Sequence, residues 1–288
     1  MTQPRISSVQ CLSPAGLHRM AYKEWGDPAN PNVLVCVHGV TRVSDDFDAL
    51  AAAMSDRNRV ICPDVVGRGR SSWLKDPRLY AVPQYVSDMV TLVARLDVPQ
   101  VDWFGTSMGA LIGMGLASLP ETPIRRMLMN DVGPALNFSA LSRIGEYIGN
   151  DLRFGSFDEG RDYVRSICAP FGPHSDDEWD KLARDVLRQD EDGRWRRHYD
   201  PALALPFRTL TVDAAQQGEA ALWAAYDAIR CPVLLVRGAE SDLLSRESAR
   251  MMTERGPRAR LVELPGVGHA PTFMHDDQIA LARGFFLD

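Results

Sequence analysis

No stretch of this 288-residue sequence is apolar for long enough to cross a bilayer, and its longest apolar helix candidate is interrupted by glycines. The opening residues, Met1-Thr2-Gln3-Pro4-Arg5, lack the apolar core of a secretion signal. Positive charge is not in excess either. The 32 Lys and Arg stand against 38 Asp and Glu, and a net charge of −6 is the wrong sign for binding a phosphate backbone. Cysteine is sparse: Cys11, Cys36, Cys62, Cys168 and Cys231 are an odd number without a C-x-x-C pair. Cys36, Cys62 and Cys231 lie in or beside apolar runs, where a thiol serves as a small hydrophobe. These absences argue against a membrane protein, a nucleic-acid binder, a disulfide framework or a zinc site, and a reducing cytoplasm is the expected setting.

What is present is the composition of an ordinary globular protein, 45% apolar and 24% charged, of a length that suits one large domain or a core with one insertion. Residues 5–12 and 17–25 read as a hairpin around Ser13-Pro14-Ala15-Gly16. The unbroken apolar run 33–37 reads as a strand buried on both faces of a parallel sheet. Further strands are expected at 60–64, 101–104, 124–131, 231–238 and 259–264. Between them, helical spacing marks 44–54 (with Ser44 as N-cap), 83–97, 213–228, 246–255 and 277–287. Strands alternating with helices imply parallel pairing with right-handed crossovers. From Gly133 to about Val212 no strong strand stands out, and prolines break up helical, aromatic-rich segments. The expected division is a core of 1–132 and 213–288 with an inserted helical lid at 133–212.

The chemistry concentrates at Gly105-Thr106-Ser107-Met108-Gly109, between a strand and a helix. Two glycines without Cβ atoms allow strand and helix to close around a strained serine, whose hydroxyl then projects at the positive end of the helix. Gly67-Arg68-Gly69 looks superficially like a dinucleotide fingerprint, but the third glycine is missing and no helix follows at once. His269 lies in a glycine-rich loop, Gly266-Val267-Gly268-His269, and not on an apolar helix face.

Together, His38-Gly39 after a strand, the Gly105–Gly109 turn, Asp242 after a later strand and His269 near the end resemble the α/β-hydrolase superfamily, which uses the order Ser, Asp, His. The resemblance spans essentially the whole chain. It implies an α/β fold with a mostly parallel eight-stranded sheet, flanking helices and an inserted helical lid. It also implies Ser107 as nucleophile, His269 as base and Asp242 as the orienting acid, with Asp131 the rival because some members draw the acid from that strand. The backbone N–H groups of Val40 and Met108 would form the oxyanion hole, with His38 holding the turn. No metal or organic cofactor is called for, and the partner is a small-molecule ester.

Three side chains are candidate substrate contacts. Arg42, two residues past the oxyanion donor, could pair with a substrate carboxylate, or with Asp45 or Asp46. Trp179 and Trp195 are the aromatic candidates from the lid. The expected activity is hydrolysis of a small or medium carboxylic ester through an acyl-enzyme, with short-chain hydroxyacid esters or oligomers as the suggested class. Carbon–carbon bond hydrolysis of a ring-cleavage dienoic diketone, or ligand reception without turnover, are the alternatives. Aspartate-nucleophile dehalogenases and epoxide hydrolases are disfavoured by the serine at 107.

Overall fold

A computed structural model describes residues 3–136 and 138–287. The outer ends of the two expected core segments (Met1, Thr2 and Asp288) and Asn137 of the inserted segment lie outside the described residues. In chain order the first elements are β1 (Arg5–Ser13), β2 (Gly16–Trp25), β3 (Val33–Val37), α1 (Asp48–Met54), β4 (Arg59–Pro63), α2 (Val82–Leu96), β5 (Val101–Thr106), α3 (Met108–Ala117) and β6 (Ile124–Asn130). The insertion follows, with α4 (Phe138–Ile148), β7 (Arg153–Phe154), α5 (Phe157–Ile167), α6 (Asp176–Val186), β8 (Leu187–Gln189), β9 (Trp195–Arg197) and the single turn α7 (Leu205–Arg208). The chain then returns through α8 (Val212–Ala228), β10 (Val233–Gly238), α9 (Arg246–Glu254), β11 (Arg260–Leu264) and α10 (Asp276–Leu287).

The main sheet has eight strands in the order β1-β2-β4-β3-β5-β6-β10-β11. From β4 to β11 every neighbouring pair is parallel, while β1 and β2 pair antiparallel and β2 joins β4 antiparallel. The unbroken apolar run of β3 is explained by its two buried faces. Val33, Val35 and Val37 enter the core beneath α2, α3 and α8, while Leu34 and Cys36 enter the opposite core beneath α1 and α10. At the sheet's edge the hairpin is tied to α2 through Asp88, which accepts from Gln84 Nε2 at 2.8 Å and lies 3.0 Å from His18 Nε2, beside Cys11.

Two local expectations differ from what forms. Residues Ser44–Phe47 make a short 3-10 turn ahead of α1, and Ser44 is buried with its N–H donating to Asp64 at 2.7 Å. Within the insertion, β7, β9 and β8 form a small antiparallel sheet. These strands are two or three residues long, too short to carry a periodicity. The insertion has its own apolar centre around Val164, Trp179, Leu182 and Val186, which reaches Val43 of the core. It is also docked by main chain onto the loop after β4, with Gly69 N–H donating to His198 O at 3.0 Å and Asp200 N–H to Gly67 O at 2.8 Å. The two glycines once comparable to a nucleotide loop thus bear backbone contacts. A Cβ on Gly69 would lie 2.4 Å from the Asp64 carboxyl carbon.

Candidate active site

Ser107 sits between β5 and α3 with φ 51° and ψ −115°, a conformation a non-glycine residue holds only when its surroundings impose it. The surroundings are the two flanking glycines. A Cβ on Gly105 would lie 2.3 Å from Ala110 N, and one on Gly109 would lie 1.9 Å from Val37 O. Strand and helix are therefore in backbone contact, pinned further by Trp103 Nε1 donating to Gly109 O at 3.0 Å. Met108 opens α3, so its N–H has no acceptor within the helix.

The turn after β3 lies alongside. A Cβ on Gly39 would sit 3.8 Å from Ser107 Cβ, and Val40 follows directly. His38 holds this turn. Its Nε2 accepts from Val65 N–H at 3.0 Å, which leaves Nδ1 as the donor to Gly39 O at 2.7 Å. Both nitrogens are thus employed by the neutral ring, and burial lowers its pKa to about 4.

His269 arrives from the loop after β11, and its Nε2 lies 3.0 Å from Ser107 Oγ. On the other side of the ring, Nδ1 lies 2.8 Å from Asp131 Oδ2. A carboxylate accepts, so Nδ1 carries the proton and Nε2 is left to accept from the serine hydroxyl. Asp131 follows the last residue of β6 in a left-handed conformation, φ 56°, and is fully buried. Its second oxygen accepts from Gly238 N–H at 2.9 Å, while its own N–H donates to Val236 O. Next to it, Asn130 Nδ2 donates to Thr106 Oγ1 and to Pro271 O, tying the serine's strand to the histidine's loop.

This geometry corrects the expected acid. Asp242 does not contact His269. Its side chain is 47% exposed and ion-paired with Arg143 of the insertion at 2.5 Å. Of the candidate substrate contacts, Arg42 takes its alternative partner, Asp46, and the two tryptophans lie away from Ser107. Arg42 is buried and its guanidinium is spent on Asp46, through Nε at 2.8 Å and Nη2 at 2.6 Å, with a further bond to Leu182 O. It borders the cavity at Ser107 and braces the insertion against the core, with Asp46 taking its Nε and Nη2 and offsetting its charge. Trp179 and Trp195 lie within the insertion, against His174 and Phe157 respectively, and not at Ser107. Such aromatics fill the small core that lets a separate layer of helices hold its shape.

Two cavities meet at Ser107. One, of about 100 Å³, is lined by His38, Val40, Arg42, Cys168, Phe171 and His269 among others. The second, of about 310 Å³, is walled by aliphatic and aromatic side chains from α2, α3, α4 and α7, and contains Arg68. Sequence reading passed over Arg68; its only signal was a cation held between two glycines just after a buried strand.

A parallel sheet that carries a strained serine on a strand-to-helix turn, with histidine and carboxylate supplied from neighbouring strand ends, is the architecture of an α/β hydrolase. The chain belongs to the alpha/beta hydrolase family, whose sequence profile matches residues 34–282. Among curated proteins it is 59% identical over 286 residues to the 3-hydroxybutyrate-oligomer hydrolase of Cupriavidus necator, covering 98% of each chain. Among solved structures it resembles an alpha/beta hydrolase from Novosphingobium aromaticivorans, with a TM-score of 0.86 at 31% identity, covering 100% of this chain and 99% of the other. It shares its fold with E-2-(acetamidomethylene)succinate hydrolase, at a TM-score of 0.81 and 22% identity over 99% of this chain and 100% of the other. No helix among the described residues is long and apolar enough to cross a membrane.

Proposed function

We propose that this enzyme, a hydrolase of ester bonds, is a serine hydrolase that cleaves short 3-hydroxyacid oligomers through an acyl-enzyme. The observation that carries the reading is the unbroken relay Ser107 Oγ–His269 Nε2 at 3.0 Å and His269 Nδ1–Asp131 Oδ2 at 2.8 Å. Ser107 Oγ attacks the ester carbonyl as His269 Nε2 takes its proton, and the tetrahedral oxyanion is met by the N–H groups of Val40 and Met108. His269 then delivers the proton to the departing alcohol oxygen. Water, activated by the same nitrogen, adds to the acyl-enzyme and releases the acid and Ser107.

The substrate class is supported by the 59% identical 3-hydroxybutyrate-oligomer hydrolase and by the two cavities that Ser107 lines. In this proposal residues 133–212 act as the lid that roofs these cavities. The five cysteines, all free thiols, suit the cytoplasm as its place of work.

The test compares wild type with Ser107→Ala on 3-hydroxybutyrate dimer and on p-nitrophenyl butyrate, together with fluorophosphonate labelling read by mass spectrometry. Activity is expected to fall by about a thousandfold or more in the variant. Labelling is expected at Ser107 in wild type alone. Comparable turnover by the variant would refute the assignment.

A further inference from the structure

Arg68 is a cation whose partners do not match its charge. The side chain is 1% exposed, on the loop after β4. Its Nε donates to Val40 O at 2.9 Å, and Nη1 donates to Val66 O at 2.7 Å and to Tyr85 Oη at 3.0 Å. Among the described residues Nη2 has only the thioether sulfur of Met108, at 3.3 Å, a weak acceptor. The ring faces of Tyr80 and Tyr85 lie 5.9 Å and 5.1 Å from the guanidinium carbon. Among the described residues none of these partners is a carboxylate. The nearby Asp64 is committed elsewhere, to the N–H groups of Ser44 and Arg70 and to the Arg70 side chain.

A buried guanidinium without an anion is costly to maintain, and the cost makes sense where an anion is to be received. Arg68 lines the 310 Å³ cavity that also contains Ser107, and among the described residues lining it no other is charged. We propose that Arg68 anchors the free carboxylate of the substrate, so that the enzyme cleaves the ester bond one hydroxyacid unit from the carboxyl end of the chain. The inference rests on the hydrolase reading above and specifies its substrate.

The spacing suits that unit. Met108 contributes the proposed oxyanion donor with its N–H and touches Arg68 Nη2 with its sulfur. One methionine side chain therefore separates the reacting carbonyl from the anchor, a span comparable to one hydroxybutyrate unit. A carboxylate oxygen would replace the sulfur as acceptor, and the flexible thioether can swing aside. In the reaction the acyl C–O bond breaks, His269 protonates the departing alkoxide, and the released hydroxyacid leaves with its carboxylate unchanged. Arg42 is the poorer anchor, because Asp46 already offsets its charge and takes its Nε and Nη2.

The experiment compares kcat/KM for 3-hydroxybutyrate dimer with that for the same dimer bearing a terminal carboxamide, in wild type, Arg68→Met and Arg68→Lys. Wild type is expected to favour the free acid by about tenfold or more, the value of a charge-assisted hydrogen bond. The preference should collapse toward one in Arg68→Met and survive in part in Arg68→Lys. The ratio is the readout because loss of the brace on Val40 lowers both rates. Should Arg68→Met not fold, inhibition of p-nitrophenyl butyrate hydrolysis by wild type decides: 3-hydroxybutyrate is expected to compete at least about tenfold better than 3-hydroxybutyramide. Equal handling of acid and amide by wild type, or an unchanged preference in Arg68→Met, would overturn the anchor. Failure of the hydrolase reading itself shows separately, as retained p-nitrophenyl butyrate turnover in Ser107→Ala.

Discussion

At the scale of single residues, two aspartates competed for one imidazole, and only the folded chain separates them. Asp131 is buried with both oxygens engaged, one by His269 and the other by Gly238 N–H. Replacing it with Asn presents an amide where two donors expect acceptors, which turns the imidazole toward the wrong tautomer. In Asp131→Asn, kcat is expected to fall by about a thousandfold to ten-thousandfold with the fold intact. Asp242→Asn breaks only an exposed ion pair to Arg143, so its kcat should change no more than about threefold. A loss in Asp242→Asn matching that in Asp131→Asn would reverse the assignment. The meeting of Ser107 with His269 was legible because glycines advertise tight turns wherever they occur in a chain. The acid was not, since both candidates follow strands, and linear spacing does not say which strand end faces the histidine. Arg68 was silent for a different reason: three of its four partners are main-chain carbonyls or a sulfur, which leave no charge pattern to read.

At the scale of elements, glycines that look alike in sequence carry very different loads. Gly109 lets α3 touch β3, and an added Cβ would lie 1.9 Å from Val37 O. Because that neighbour is backbone, Gly109→Ala must lever helix from sheet. The expected cost is about 3 kcal/mol or more, read as a lower urea midpoint, with loss of esterase activity. Gly218, exposed in the middle of α8, meets nothing within 4 Å. Gly218→Ala should therefore stabilise the protein by about 0.5–1 kcal/mol, by removing unfolded-state freedom and raising helix propensity. Shifts of the same sign and similar size in the two midpoints would contradict the packing account. The same contrast explains what the sequence showed of the elements. Core strands announce themselves because burial on two faces demands unbroken apolar runs. Among the described residues β7, β8 and β9 pair only with one another, and they are too brief for alternation to register. Ser44 looked like a helix cap because its type favours that role, yet tertiary contact with Asp64 assigned its N–H elsewhere.

At the scale of the whole molecule, core and insertion each hold a histidine that makes the fold sensitive to acid. His38 in the core and His198 in the insertion are both held neutral by burial, each with its pKa lowered to about 4. Unfolding returns them to the ordinary histidine range, so between pH 6.5 and 4 the unfolded chain binds more protons than the native one at these two sites. Stability from them is complete above pH 6.5 and is lost as pH falls toward 4. Asp185, in the insertion, works the other way. Burial raises its carboxyl to about 6 despite Lys181 at 2.6 Å, so the native state holds a proton there that the unfolded state releases. Of these three sites two favour loss on acidification and one opposes, so together they give the unfolded state about one net proton near pH 5. Stability should then fall by about 1 kcal/mol per pH unit between pH 6 and 4.5. Melting temperature followed across that range checks the sign directly. In Asp185→Asn the opposing proton is gone, and the fall should steepen to about twice the wild-type slope. A wild-type Tm that rises on acidification from pH 6 would mean that these histidines are charged in the native state. That would in turn withdraw the acceptor role of His38 Nε2 toward Val65, and with it the account of what holds the turn beneath the proposed oxyanion hole.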